Sequence, residues 1–248
     1  MTKKIRIDEL LVYRDMVDSL EHARALIMAG KIFVLDRCVT KAGYLVSNEA
    51  SLEIKGNKNH RWVSRGGLKL EHALKIFDLN VTGMTAIDLG CSTGGFSDVL
   101  LEYGVKKVYA VDVGYGEFAW RLRNDQRVML LERTNARFIT NNEIPDKLDI
   151  IVCDASFISA TVILTAAMQL VAHNAMMVTL VKPQFEVDSH EVEAGGIIVS
   201  KELHQKSIDK VKTFLTNNGW IVKGVVESPI KGMKGNTEFL LFAVKSNL

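Results

Sequence analysis

Asp88, Asp112, Asp154 and Lys182 each stand at or near the end of an apolar run: TAIDL, VYAVDV, DIIVCD and MMVTLVK. Three carboxylates and one amine collected along one edge of a sheet make a cleft that can bind donors and handle a proton. A lysine following a buried strand needs a reason, because desolvating an ammonium is costly without partners. The bland account, a lysine that snorkels to the rim, stands beside it. The segment AIDLGCSTGGF, residues 86–96, adds a strand, a glycine-rich turn and the start of a helix. Gly90, Gly94 and Gly95 permit close backbone approach to a ligand, and Ser92 and Phe96 lie within the same turn. The spacing is not G-x-G-x-x-G and the turn holds no lysine, so neither the dinucleotide fingerprint nor the Walker A loop is present. An acidic residue just ahead of the first glycine suits a ligand with an amino group, a description that fits S-adenosylmethionine.

Asp112 ends the next strand, where a carboxylate accepts hydrogen bonds from ribose hydroxyls. NAD and S-adenosylmethionine both carry such a ribose, so Asp112 does not choose between them. Asn135 follows VMLLERT, at a place where it could approach an adenine edge; a simple turn residue accounts for it equally well.

The elements that must position these residues alternate. Apolar runs at Thr85–Asp88, Val108–Asp112, Val128–Leu131, Ile150–Cys153, Ala175–Val181 and Phe239–Val244 are mostly separated by helical or loop segments. That order predicts an α/β fold with a mostly parallel sheet covered on both faces. Residues 155–181 carry no formal charge. Ser156, Ser159, Thr161, Thr165, Gln169, His173, Asn174 and Thr179 interrupt that stretch, so it reads as core rather than a membrane span: a helix from about Ala160 to Ala172, a break at His173-Asn174, and a strand.

Ahead of this body lies a different unit. Ile7, Leu10 and Leu11 have helical spacing, Ser19 reads as the N-cap of a second helix over Leu20–Ala29, and Gly30 stops it. Short strands are expected at Ile32–Leu35 and Ser51–Ile54, around a turn-rich stretch with Asp36 and Gly43. The polar segment Lys55–His60 is the best linker candidate. The expected organisation is a domain over 1–57, a linker over 58–65 and a second domain over 66–248. Residues 1–75 hold 14 Lys/Arg against 9 Asp/Glu, whereas 76–248 hold 17 against 20. A basic front end on a slightly acidic body suggests that the front meets a polyanion.

With 248 residues, 48% hydrophobic and 24% charged, the chain has the composition of an ordinary globular protein. Cys38, Cys91 and Cys153 are far apart, odd in number and form no C-x-x-C pair, which argues against a disulfide framework or a four-ligand zinc site and fits a reducing cytoplasm. No signal peptide is visible at the N-terminus, and no metal is expected.

RIDELLVYRDMVDSLEHARALIMAGKIFVLD resembles the small RNA-binding module first described in ribosomal protein S-four, over about residues 5–55. The resemblance implies a helix pair laid along RNA, with Arg6, Arg14, Arg24, Lys31, Arg37 and Lys41 as candidate phosphate contacts. Ser19-Leu20 departs from the usual Ser-Arg at the start of the second helix. Over essentially the whole chain, RWVSRGGLKL, DLGCSTGGF, VDVGYGEFAWRLR, LERTNAR, CDASFIS, VKPQFE and NTEFLLF closely resemble the TlyA family, whose members are often named hemolysins and also described as ribosomal RNA 2′-O-methyltransferases. The body resembles the wider FtsJ-like class.

That resemblance implies a Rossmann-like S-adenosylmethionine-dependent methyltransferase fold of the seven-stranded type, with a small α+β RNA-binding domain in front. It implies a catalytic Lys-Asp-Lys-Glu tetrad at Lys69, Asp154, Lys182 and Glu238. It further implies a cofactor site at Asp88, Gly90, Ser92, Gly94, Gly95, Phe96, Asp112, Asn135 and Asp154. Ribosomal RNA or a ribosomal subunit is the expected partner, with cytidine as target, and neither a membrane nor an obligate protein partner is called for. Arg61, Trp62, Arg65 and Phe157 are candidates to help expose the nucleotide, Trp62 having interdomain packing as its rival role. Lys182 either takes the hydroxyl proton or only positions and polarises the oxygen. Three other classes compete: a pore-forming hemolysin, which would need a span or a strongly amphipathic helix; a nicotinamide-dependent dehydrogenase, whose glycine spacing is absent; and a non-enzymatic RNA-binding protein.

Overall fold

The computed structural model describes residues 4–14, 16–17, 19–35, 37–54, 61–192, 195–232 and 235–246. Asp36 and the Lys55–His60 linker candidate lie outside the described residues.

The front unit begins with β1 (Lys4–Arg6), α1 (Ile7–Tyr13) and α2 (Leu20–Met28). Ser19 caps α2, its hydroxyl accepting from the His22 amide at 3.1 Å, and Gly30 takes φ 66° just beyond the helix. Four short strands follow: β2 (Ile32–Val34), β3 (Arg37–Val39), β4 (Leu45–Ser47) and β5 (Leu52–Ile54). They form a β3-β2-β5 sheet and a β1-β4 pair. Ile7, Leu10, Leu11, Ala23, Ile27 and Ile32 make a core of their own. Asp8, fully buried, accepts from Arg6 and Arg24, and these guanidinium groups pull its carboxyl down to about 2.

The body opens with α3 (Gly66–Ile76), then β6 (Thr85–Leu89), α4 (Gly95–Glu102), β7 (Lys107–Val111), α5 (Trp120–Arg123) and β8 (Val128–Leu131). It continues through β9 (Leu148–Cys153), α6 (Ala160–Ala167), β10 (Val171–Val181), α7 (Pro183–Glu186), α8 (Lys201–Asn217), β11 (Trp220–Glu227) and β12 (Phe239–Lys245). The seven-stranded sheet runs β11-β12-β10-β9-β6-β7-β8, with β12 antiparallel to both neighbours and the remaining pairs parallel. The chain leaves β6 toward β7 and β8, then returns to β9 on the other side. A crevice therefore opens beyond the carboxyl ends of β6 and β9, where strand order reverses.

Strand pleating divides the core. Ile87, Leu89, Ile151 and Cys153 face α6 and α8, while Ala86, Ile150 and Val152 face α3 and α4. Several expectations are corrected here. The helix expected to reach Ala172 ends at Ala167, and His173-Asn174 lies inside β10. Asn174 sits at φ 64° where the β9 register shifts between Val171 and Met176, so the break is a bulge within the strand rather than a boundary. β11, not among the expected strands, forms one edge of the sheet; Lys223 and Gly224 interrupt its apolar run. Trp62 is 5% exposed, belongs to the core between α3 and α4, and donates from Nε1 to Glu71. Val63 and Ser64, expected in the linker, also pack on the body, the Val63 amide donating to Asp98 at 2.8 Å.

Candidate active site

A cleft of about 640 Å³ lies at the switch point. Its wall contains Asp88, Gly90, Ser92, Gly95, Phe96, Asp112, Asn135, Asp154 and Lys182, drawn from five separate stretches of chain. Gly90 takes φ 78°, and a Cβ there would sit 3.0 Å from the Ala155 backbone, so the β6 turn and the β9 turn close on each other only without a side chain. Gly94 is not on the cleft wall. Its φ of 94° turns the chain into α4, and a Cβ would strike Leu122 and Phe118.

Asp88 is 1% exposed and spends Oδ2 on the Ser97 amide and hydroxyl, at 3.0 and 2.7 Å. Its Oδ1 is buried without a hydrogen-bond partner. Burial pushes the carboxyl up to about 7, with Asp154 and Asp112 adding repulsion against the Ser97 bonds. A positively charged donor entering the cleft would satisfy Oδ1 and favour its ionised form. Asp112 accepts from the Ser92 and Gly114 amides, one to each oxygen, at 2.8 and 2.7 Å, which fixes a carboxylate with spare lone pairs at the end of β7. The Asn135 side-chain oxygen caps a short turn by accepting from Arg137, which leaves its Nδ2 amide and its backbone to approach a ligand. This donor set fits S-adenosylmethionine: an orphan carboxylate oxygen for the amino group, a fixed acceptor for the ribose, and a glycine turn between them.

From the cleft wall inward, four charges alternate. Lys182 Nζ lies 2.7 Å from Asp154 Oδ1 and donates to Ser156 Oγ at 2.8 Å. Asp154 Oδ2 accepts from Lys69 at 3.0 Å, and Lys69 donates in turn to Glu238 at 2.8 Å. Burial alone would raise Asp154, but Lys182 and Lys69 hold it below the usual carboxylate range. Burial likewise would lower Lys69, yet Asp154 and Glu238 outweigh it and raise the ammonium. Lys69 and Glu238 are 5% and 2% exposed and do not line the cleft; only Asp154 and Lys182 do. Lys69 arrives because α3 abuts α4: a Cβ on Gly95 would collide with Ser64 Oγ and the Gly67 amide.

The basic candidates fall into two groups. Arg6 and Arg24 are half exposed while bound to Asp8, Arg61 is exposed and pairs with Glu102, and Lys31 and Arg65 are partly exposed. Arg37 and Lys41 are exposed. Arg14 is the correction: its side chain is 1% exposed, and it donates to the Ala50 and Asn48 carbonyls, so it presents no face to a phosphate backbone. Phe157 is 71% exposed at the cleft mouth, with φ 65°. Sequence reading missed Glu117, Tyr13 and Arg137 on the cleft wall. Glu117 falls within the quoted segment VDVGYGEF, but no spacing rule singles it out, and Tyr13 comes from the end of α1 in the front unit. No described helix is long and apolar enough to cross a membrane.

The FtsJ-like methyltransferase family matches residues 62–245. The 16S/23S rRNA (cytidine-2′-O)-methyltransferase TlyA of Mycobacterium tuberculosis is 41% identical over 98% of this chain and 90% of its own length. Hemolysin A of Brachyspira hyodysenteriae is 38% identical over 95% of this chain and 98% of its own. A solved Streptococcus thermophilus protein, described as a candidate hemolysin, superposes with a TM-score of 0.81 at 38% identity, covering 100% of this chain and 90% of that one. Methyltransferases of this class take their methyl group from S-adenosylmethionine, which the cleft fits. An open α/β sheet with its cleft at the switch point, matched over nearly its full length, places this chain in the FtsJ-like methyltransferase family, in the branch that holds TlyA.

Proposed function

We propose that the protein methylates the 2′-hydroxyl of a cytidine in ribosomal RNA, with Lys69, Asp154, Lys182 and Glu238 as its tetrad. The observation that carries this reading is the alternating chain Lys182–Asp154–Lys69–Glu238, whose Lys182 end reaches the cleft wall. The Mycobacterium tuberculosis relative is named for cytidine in 16S and 23S rRNA, which supports the substrate.

When bound, S-adenosylmethionine supplies a methyl on a sulfonium, a good leaving group, so much of the catalysis lies in alignment. Asp88, Gly90, Ser92, Gly95, Phe96, Asp112 and Asn135 hold the cofactor, with Gly94 shaping the turn. Lys182 steers the ribose hydroxyl, and accepts its proton only after giving up one of its own to solvent, because the ammonium held by Asp154 is not itself a base. Asp154 fixes the Lys182 ammonium, while Lys69 and Glu238, off the cleft wall, keep Asp154 ionised and in place. Residues 1–57 act as the RNA-binding module, and Arg6, Arg24, Lys31, Arg61 and Arg65 supply phosphate contacts. Exposed Phe157 offers a stacking face for a nucleotide drawn out of its helix. A 2′-hydroxyl exists only in RNA, in keeping with such a module.

The test is incubation with radiolabelled S-adenosylmethionine and unmethylated ribosomal subunits, wild type beside Lys182→Ala, followed by nucleoside analysis. Label should appear in 2′-O-methylcytidine. The variant should lose about 10²–10⁴-fold in rate, the range for removing a proton-transfer group, while binding cofactor normally. Near-normal turnover by Lys182→Ala rejects its role, and label in another nucleoside rejects cytidine. Absence of both label and cofactor binding would leave an RNA-binding scaffold.

A further inference from the structure

Arg14 is charged, buried and incompletely partnered. Its Nη1 and Nη2 donate to the Ala50 and Asn48 carbonyls at 2.5 and 2.6 Å, whereas Nε has no hydrogen-bond partner. The group facing Nε is Glu117 of the other domain, whose Oε1 lies 3.9 Å away. Glu117 accepts from Ser92 Oγ at 3.3 Å, and the Ser92 amide donates to Asp112. Directly beside it, Gly116 takes φ 80°, and a Cβ there would sit 2.5 Å from the Glu49 carbonyl oxygen. The turn at 48–50 thus rests on the loop that walls the cleft, and Tyr13 and Arg14 themselves line that cleft.

We propose that the N-terminal module forms part of the cofactor site, Arg14 acting as a positioning residue that holds Glu117, Ser92 and Asp112 in register for the ribose of S-adenosylmethionine. Two carboxylates at that end of the cleft repel each other unless a cation is nearby, and the cation comes from the other domain. Ordering of the front module and binding of cofactor are therefore one event, and each strengthens the other by the same factor. The proposal is independent of which RNA is methylated, because its readouts contain no RNA.

The test measures S-adenosylhomocysteine binding to the full chain by calorimetry, with Arg14→Met, Glu117→Gln and the double variant. Arg14→Met should weaken binding about tenfold, and adding Glu117→Gln should recover most of that loss, since the uncompensated charge is then gone. Arg14→Lys should fall between, keeping the charge without the two-carbonyl fork. In wild type, saturating ligand should slow amide exchange at Ala50, which is bonded to the Ser47 carbonyl, and along α1. This second measurement decides the matter if Arg14→Met fails to fold. Unchanged exchange in the module on ligand binding overturns the proposal. So does a folded Arg14→Met with wild-type affinity, or a loss that Glu117→Gln does not relieve.

Discussion

Asp88 shows how a single side chain can be tuned by what it lacks. Its raised folded-state value means that the unfolded chain gives up this proton first. The free protein therefore loses stability as pH rises from about 4 to about 7. An ammonium on Oδ1 reverses that by favouring the carboxylate. Cofactor binding near pH 6.5 should then release a fraction of a proton, read as a dependence of calorimetric heat on the ionisation enthalpy of the buffer. Asp88→Asn should abolish the release and weaken binding about 10- to 100-fold, the range for a lost charge-assisted bond. A heat that is identical in all buffers would show that cofactor binding does not change the protonation of Asp88.

Among the elements, the contact of α3 with α4 decides where Lys69 goes. Gly67 lies against Trp62: an added Cβ would fall 2.5 Å from Cγ and 2.6 Å from Cβ, root atoms that cannot swing aside. Alanine is the better helix former by up to about 1 kcal/mol, but overpacking costs about 1–3 kcal/mol and should win. Gly67→Ala is expected to lower the melting temperature and to slow methyl transfer by displacing Lys69. A melting temperature at or above wild type would refute the crowding. At the same scale, Glu186 holds the start of α6 by accepting from the Ser159 hydroxyl and the Ala160 amide at 2.6 and 2.7 Å. This stabilises the segment just beyond the Asp154 turn.

Across the whole molecule, charge is divided between a basic front and an acidic body, and the exposed cations of the front are the ones able to release counterions from RNA. The logarithm of RNA affinity should fall linearly with the logarithm of salt. Arg24→Ala with Lys31→Ala should reduce that slope by about two, one per lost phosphate contact. Arg14→Met should leave the slope unchanged because its guanidinium is buried. A slope reduced by Arg14→Met would put that residue back on the RNA face.

Local pattern was enough for much of this. Alternating apolar runs predicted the parallel sheet, because a strand buried on both faces must be apolar throughout. The Ser19 cap and the Gly30 stop were legible because caps are satisfied within one turn. Asp88, Asp112, Asp154 and Lys182 could be picked out because charge at the end of a buried strand is costly and needs a reason. What spacing alone could not supply was distance between remote segments. That Lys69 and Glu238, 169 residues apart, meet at 2.8 Å was implied only by family resemblance until the packing of α3 and β12 placed them together. The bulge at Asn174 arose from the register with β9, which no feature of β10 by itself specifies. Arg14 illustrates the same limit most sharply: in sequence it is one more cation on a basic module, and only the turn at 48–50 and the loop at 116–117 bury it at the edge of the cofactor cleft. Helices, strands and caps follow from neighbours along the chain; the exposure and partner of a charged side chain follow from which surfaces the folded chain brings into contact.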